Sequence, residues 1–135
     1  MSATSAIPVG ATASRSVTVT RTLTVAHFHP EMPEVYGTPM MIYLMEVAAS
    51  AAIESFLPAG WVSVGTRVDV EHLAATPVGA TVTATATVLH CRDATVTFRV
   101  EAHDGTERIG TGTHVRAAVD MARFERLLQR KRGAE

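Results

Sequence analysis

The chain has 135 residues, of which 47% are hydrophobic and 19% charged, and its net charge is -1. That length fits one domain with its own core, and the composition excludes a disordered chain. A balanced charge argues against nucleic acid as a partner, and the short basic run at 130–132 suits the end of a helix. The longest apolar run, 35–53, is interrupted by Glu46, so no membrane span is predicted.

The N-terminal third of the chain predicts an arm, a strand and a loop. Residues 1–14 are small and polar and lack the features of a signal peptide, so we expect a flexible arm before a single domain over 15–132, in the cytoplasm. Residues 16–25 alternate Val or Leu with Thr or Arg, which is typical of a half-buried strand. Residues 26–37 hold two prolines and a glycine and predict a loop.

A long apolar helix is predicted next. Thr38 can cap free N–H groups and Pro39 is tolerated at the first helical position, so the helix is expected to run from 39 to about 56. Pro58 and Gly60 end it. Because the helix is apolar nearly all round, other parts of the protein must cover most of it.

The remaining chain predicts four strands and a short helix. The strands are expected at 61–72, 80–92, 94–103 and 107–119, and an amphipathic helix at 120–132. A strand, a long helix and four antiparallel strands indicate an α+β arrangement, with a five-stranded sheet wrapped around one central helix. This is the layout of a hotdog fold. One helix on one sheet leaves apolar surface uncovered, so a homodimer is expected.

Glu46 is the first candidate for chemistry, because no other residue between 35 and 53 is charged. Its neighbours one helical turn away are mostly apolar. A carboxylate placed there must be paired, hydrogen-bonded or protonated, and such a group can act as a general base. The alternative is a structural glutamate that binds strand backbone or faces a wet gap.

Thr38 and His72 are the candidate partners of Glu46. Thr38 lies eight residues before Glu46, ~12 Å along the axis and ~80° around it, so the two could border one cleft without touching. Thr38 alternatively acts as a plain N-cap, and the free N–H groups of a helix start suit a developing oxyanion. His72, at a strand end, could orient a carboxylate or move a proton, although five other histidines are present.

A glycine and three methionines can each be interpreted as structural or functional, and several common catalytic motifs are absent. Gly65, inside a strand pattern, indicates a bulge, a close approach by a ligand, or a simple bend. Met40, Met41 and Met45 offer either a soft ligand lining or plain core. Cys91 is the single cysteine and is expected to be inert, and no metal-binding set, nucleophile elbow or phosphate loop is present.

Three groups of residues carry a family resemblance. The first is TPMMIYLME at 38–46, the second is VGT at 64–66 with VEHLAATPVG at 70–79, and the third is AHDG at 102–105 with IGTGTH at 109–114. Together they resemble the fluoroacetyl-CoA thioesterase family of hotdog proteins. The resemblance extends over residues 16 to 130, and the ordered set is specific although each piece alone is weak.

The resemblance implies a homodimer that hydrolyses acyl-CoA thioesters at its subunit interface. The residues themselves give no reason to expect a cofactor or a metal. The resemblance also implies a Thr–Glu–His set that falls on Thr38, Glu46 and His72, and Gly65 matches the family's glycine near the bound acyl group. Glu46 would either activate water or attack directly to give a mixed anhydride, with His72 aiding proton transfer.

The loop at 26–37 is where the chain departs most from the family. There the loop is longer and carries a phenylalanine-bearing lid associated with fluorinated substrates, whereas here Phe28 and Tyr36 are its only aromatic residues. We expect both, with Met41, to contact substrate, and we expect a broader acyl-CoA range than fluoroacetyl-CoA.

Two other functions fit the same fold. A non-catalytic acyl-CoA binder would bind the ester without turnover, but an acyl tunnel has no need of a carboxylate. An enoyl-CoA hydratase of this fold would pair Asp and His in a D-x-x-x-x-H loop motif, which is absent at the matching place.

Overall fold

One antiparallel sheet surrounds one long helix in the computed structural model, which describes residues 2–133. The helix α1 contacts all five strands, and the strand order is β1-β3-β4-β5-β2, with a second helix α2 at the C-terminus. This confirms the predicted α+β hotdog layout. The elements are β1 (Thr12–Thr18), α1 (Thr38–Ile53), β2 (Trp61–His72), β3 (Thr81–Arg92), β4 (Thr95–His103), β5 (Arg108–Asp120) and α2 (Met121–Gly133).

The core lies between α1 and the inner faces of β3 and β4. Alternate residues of these two strands are buried while the others are partly or fully exposed, which follows from the two-residue period of a strand. Two of the buried residues, Ala84 and Ala86, are small, so the helix can approach the sheet closely. Met41, Met45 and Ile53 fill the space from the helix side.

The first strand is shifted relative to its prediction. It begins at Thr12, within the expected arm, and ends at Thr18, because the chain then makes two short 3₁₀ turns at Arg21–Leu23 and Val25–His27. Residues 2–11 lie against the sheet rather than projecting freely. The side chain of Ile7 joins the core, and the buried Thr4 hydroxyl donates a hydrogen bond to the Asp93 carbonyl at 2.5 Å.

Both ends of α1 also differ from the prediction. Gly37, not Thr38, is the N-cap, and Thr38 is the first helical residue. The helix ends at Ile53 and continues as a single 3₁₀ turn at Glu54–Phe56, so it is shorter than expected. Among residues 2–133, no helix is long and apolar enough to cross a bilayer; the cytoplasmic location stays a prediction.

A β-bulge in β2 decides which residues of that strand face the helix. The pairing of β2 with β5 shifts register between Gly65 and Arg67. An extra residue in one strand exchanges its two faces beyond that point. Gly65, an odd position before the bulge, faces Glu46 on α1. His72, an even position after it, also faces α1 and binds Thr38.

Candidate active site

Thr38 and His72 form a hydrogen-bonded pair at the N-terminal end of α1. The Thr38 Oγ1 and His72 Nδ1 atoms are 2.7 Å apart. The pair borders a cavity of about 310 Å³ whose other walls come from the loop before α1 and the segment after β2. Its remaining lining residues are Val25, Val35, Tyr36, Leu73, Ala74 and Ala75.

His72 is held as a neutral imidazole. Burial lowers its pKa from the ordinary value of 6.5, and the Ala74 backbone partly opposes this. Its Nε2 atom is buried without a hydrogen-bond partner among the described residues. In the Nε2–H tautomer, Nδ1 accepts the Thr38 hydroxyl proton, so the pair can polarise that hydroxyl or pass a proton through it.

The start of α1 offers a single backbone donor rather than several. Pro39 has no N–H, and the N–H groups of Met40 and Met41 both donate to the Gly37 carbonyl. The Thr38 N–H is therefore the first-turn donor left without a partner in the part of the chain that the structure describes. Beside it lies the Thr38 hydroxyl. When His72 is the Nδ1–H tautomer and donates to Thr38 Oγ1, the hydroxyl hydrogen is also available to a developing oxyanion.

Glu46 lies in a second cavity, two helical turns further along α1. This cavity has a volume of about 450 Å³ and is bordered by Arg15, Tyr43, Glu54 and Arg116 among others. The Glu46 side chain is 34% exposed, so the carboxylate is less buried than the apolar sequence around it suggests. Gly65 lies directly beneath it: a Cβ atom there would stand 2.2 Å from Glu46 Oε2.

A buried arginine sets the electrostatics around Glu46. Arg116 Nη1 lies 3.6 Å from Glu46 Oε2, while Arg116 Nε and Nη2 donate to the Ser63 hydroxyl at 2.8 Å and the Ser63 carbonyl at 2.9 Å. Burial lowers the pKa of Arg116 and Glu46 raises it, but a guanidinium remains protonated in proteins. Glu46 therefore has a fixed cation beside it, just beyond hydrogen-bonding distance.

His114 completes this network. Its Nδ1 is 2.8 Å from the Arg67 carbonyl, and its Nε2 is 3.2 Å from Arg116 Nη1. Burial lowers the pKa of His114, and the Arg116 charge lowers it further against the opposing effects of Arg67 and Glu46. The imidazole is neutral, so its 4.0 Å approach to Glu46 is not an ion pair.

Comparisons with known proteins identify the family of this chain. A family model described as fluoroacetyl-CoA-specific thioesterase matches residues 19–122. The chain is 41% identical over 114 residues to the fluoroacetyl-CoA thioesterase of Streptantibioticus cattleyicolor, covering 80% of this chain and 82% of that one. The chain belongs to the fluoroacetyl-CoA-specific thioesterase family.

Solved structures support the family assignment and the fold. The fluoroacetyl-CoA thioesterase FlK superposes with a TM-score of 0.86 at 38% identity, over 92% of this chain and 96% of that one. A Thermus thermophilus thioesterase superfamily member superposes with a TM-score of 0.88 at 31% identity, over 95% of both chains. This member of the fluoroacetyl-CoA-specific thioesterase family is therefore a hotdog-fold enzyme that hydrolyses thioesters.

A single chain of this thioesterase does not bring the three expected catalytic residues together. Thr38 and His72 meet, and Glu46 lies with Gly65, but the two groups border different cavities. Two helical turns, ~12 Å, separate Thr38 from Glu46 along α1.

The other expected substrate contacts divide between the surface and the core. Phe28 is 66% exposed and lines a small apolar cavity of about 120 Å³ at the start of α1. Tyr36 is buried, its hydroxyl donates to the Met40 carbonyl, and burial raises its pKa to about 12, so it remains a phenol. Met41 is fully buried against Gly110, whereas Met40 lines the small cavity. Met41 is therefore a core residue rather than an exposed substrate contact.

Arg116, His114 and Ser63 were not among the residues expected from the sequence. The signal that could have found them is the phase of β5: Gly110, His114, Arg116 and Ala118 occupy the buried positions of an alternating strand. Two polar side chains two residues apart on the inner face need partners there.

Proposed function

We propose that this thioesterase hydrolyses acyl-CoA esters to a free acid and CoA, with Glu46 supplying the essential carboxylate. The observation that carries the proposal is the placement of Glu46: a partly exposed carboxylate opens onto a cavity, has a fixed arginine beside it and has space cleared beneath it by Gly65. A structural glutamate would not need a cavity of this size.

Each polar group has a role in the proposed reaction. The Thr38 N–H donates to the thioester carbonyl oxygen as it gains charge, and so does the Thr38 hydroxyl when His72 Nδ1–H donates to it. Glu46 removes a proton from water, or attacks the carbonyl carbon itself to give a mixed anhydride. In the water route, the proton that Glu46 takes from water returns through His72 to the departing CoA thiolate. In the anhydride route the thiolate leaves first, and the water that then opens the anhydride supplies its proton. The two routes differ in whether an acyl-enzyme can be trapped during a single turnover.

We further propose that a homodimer completes the site. β2 is an edge strand, and the exposed Tyr43 lies on the uncovered side of α1. Two-fold antiparallel pairing of two β2 strands about their middle would place His72 of one protomer beside the Ser63 end of its partner, where Arg116 and Glu46 lie. Thr38 and His72 of one protomer would then act with Glu46 of the other.

A panel of acyl-CoA esters tests the proposed activity directly. Free thiol is detected for esters from acetyl to long-chain and aryl, with fluoroacetyl-CoA included. We expect hydrolysis of several members of the panel, because the loop that carries the family's lid is short here. Tight binding of every ester without thiol release would instead assign the protein as a non-catalytic acyl-CoA binder.

Mixing two inactive variants tests whether the site is shared between protomers. Glu46→Gln and His72→Ala dimers are dissociated together and allowed to reassociate at equal concentration. Random pairing makes half of the dimers mixed, and one of the two sites in each mixed dimer carries neither substitution. We therefore expect about a quarter of the wild-type activity per site to return. No recovery, with mixed dimers demonstrated by a size tag, would place all three residues in one protomer.

The Thr38–His72 hydrogen bond gives a separate prediction. Thr38→Val keeps the shape of the side chain but removes the hydroxyl, so kcat is expected to fall about 10- to 100-fold for each acyl-CoA hydrolysed. Thr38→Ser keeps the hydroxyl and should retain most of the activity. Steady-state kinetics of both variants measure the difference, and equal activity of the serine and valine variants would remove the hydroxyl from the mechanism.

A further inference from the structure

We infer that His114 is a positioning residue whose imidazole holds both the β2 bulge and the Arg116 guanidinium, and so aligns the two halves of the active site. His114 is on β5 and is 1% exposed. It touches neither Thr38 nor His72, and it is stacked on Phe98 with the ring centres 6.1 Å apart. The inference rests on the proposed function, because it assigns His114 a role in that same site.

The first half of the argument concerns the bulge. At the bulge the ladder between β2 and β5 shifts register, and the Arg67 carbonyl accepts the Nδ1–H of His114 at 2.8 Å. The Thr66 hydroxyl donates to the Val115 carbonyl at 3.2 Å from the other side. The bulge is what turns both Gly65 and His72 toward α1. A side chain that fixes the bulge therefore fixes the position of His72 relative to Thr38.

The second half concerns Arg116. Its Nη1 atom has two neighbours, His114 Nε2 at 3.2 Å and Glu46 Oε2 at 3.6 Å. Only the first lies at the edge of hydrogen-bonding range. Without an acceptor at His114, Nη1 has only Glu46 as a neighbour, and a small rotation about the Ser63 hydrogen bonds would close the 3.6 Å gap to a direct ion pair. With the acceptor in place, Arg116 stabilises the negative charge of Glu46 without forming a direct hydrogen bond to it.

The surroundings keep His114 in the state that this role needs. The groups facing it are Glu46 from α1, Arg116 from its own strand, the Arg67 backbone from β2 and the uncharged Phe98 ring from β4. Burial and the Arg116 charge together lower its pKa, so the imidazole is neutral at pH 7. With its proton on Nδ1 for Arg67, Nε2 is available as the acceptor for Arg116.

Three variants test the inference. His114→Phe keeps the ring and its packing on Phe98 but removes both hydrogen bonds, and we expect kcat to fall about 10- to 100-fold while KM changes about twofold or less. His114→Gln places a carbonyl oxygen near the position of Nε2 and should recover most of that loss. His90→Gln, on the exposed face of β3, is the matched control and should be fully active. A purely structural role for His114 predicts that Phe and Gln variants with the same melting temperature have the same kcat.

A spectroscopic measurement on the unaltered protein keeps the inference testable if His114→Phe does not fold. Imidazole ¹H–¹⁵N correlation spectra at pH 7 should show His114 as a neutral ring with its proton on Nδ1. An Nε2–H tautomer or an imidazolium would overturn the inference. Glu46→Gln is assayed in the same series. If Glu46→Gln is fully active, the catalytic role proposed for Glu46 fails, whereas an inactive Glu46→Gln with a fully active His114→Phe overturns only the role of His114.

Discussion

Replacing Glu46 by glutamine is expected to lower kcat for acyl-CoA hydrolysis by about 100-fold or more. Glutamine has nearly the same shape and can still accept a hydrogen bond, but it can neither remove a proton from water nor attack a thioester. Arg116 would lose an ionic neighbour at 3.6 Å but keep its hydrogen bonds to Ser63 and His114. The melting temperature should therefore change little while activity is lost.

Glu54→Gln is the matched control for this experiment. Glu54 lines the same cavity, about two helical turns beyond Glu46, and is exposed. Glu54→Gln removes one negative charge from the cavity, as Glu46→Gln does, but leaves the proposed catalytic carboxylate in place. The activity of Glu54→Gln should therefore stay within a few-fold of the wild type. If Glu46→Gln hydrolysed several acyl-CoA esters at the wild-type rate, the catalytic role of Glu46 would be wrong.

Much of the fold was predictable because its elements have a clear period. The strict alternation in β3 and β4 comes from burying one face of each strand, and the start and end of β2 were predicted correctly. β1 was misplaced because the alternation of 16–25 continues beyond Thr18, where the chain leaves the sheet. The Val19 N–H still binds the Ala80 carbonyl, but no further ladder follows. Alternation shows that a segment can form a strand, but it does not show where the neighbouring strand ends.

The candidate site was predictable only in part. Glu46 stands out by composition, because a charge in an apolar helix needs an explanation. Thr38 is the first residue of α1 and His72 is the last residue of β2, and their 2.7 Å contact depends on the bulge in β2. In a regular strand, Gly65 and His72 would face opposite sides, because they are seven residues apart. Only the bulge brings them to the same face, and no residue type marks a bulge reliably in the sequence. The glycine indicated a bulge as one of several possibilities.

Arg116 was missed for a different reason. Its strand contains polar and small residues throughout, so its charge does not interrupt an apolar run as that of Glu46 does. The burial of Arg116 becomes evident only when Ser63 on the paired strand is seen to accept two of its hydrogen bonds. Pairing between distant strands therefore decides the electrostatics of this site, and it is the information that a single sequence carries least directly.

Gly65→Ala is expected to lower kcat by about 10- to 100-fold while leaving the stability of the fold nearly unchanged. A Cβ atom at Gly65 would lie 2.2 Å from Glu46 Oε2 and 3.1 Å from His114 Cε1. The nearer atom is the end of a flexible, partly exposed side chain, so Glu46 can swing into the cavity to relieve the overlap. That movement takes the carboxylate away from Arg116 and from the position proposed for catalysis. Steady-state kinetics measure the loss in kcat, and thermal unfolding measures any change in stability.

Gly112→Ala, on the neighbouring strand of the same pair, should give the opposite result. There a Cβ atom would lie 2.2 Å from the Asp69 carbonyl oxygen and 2.6 Å from Val70 Cα, which are backbone atoms that cannot swing aside. β2 and β5 would have to separate, at a cost of about 1–3 kcal/mol in the free energy of unfolding. Activity per folded molecule should be affected less than stability. If Gly65→Ala instead destabilised the protein while retaining wild-type kcat, the close approach at Gly65 would serve packing, and the positioning of Glu46 would not depend on it.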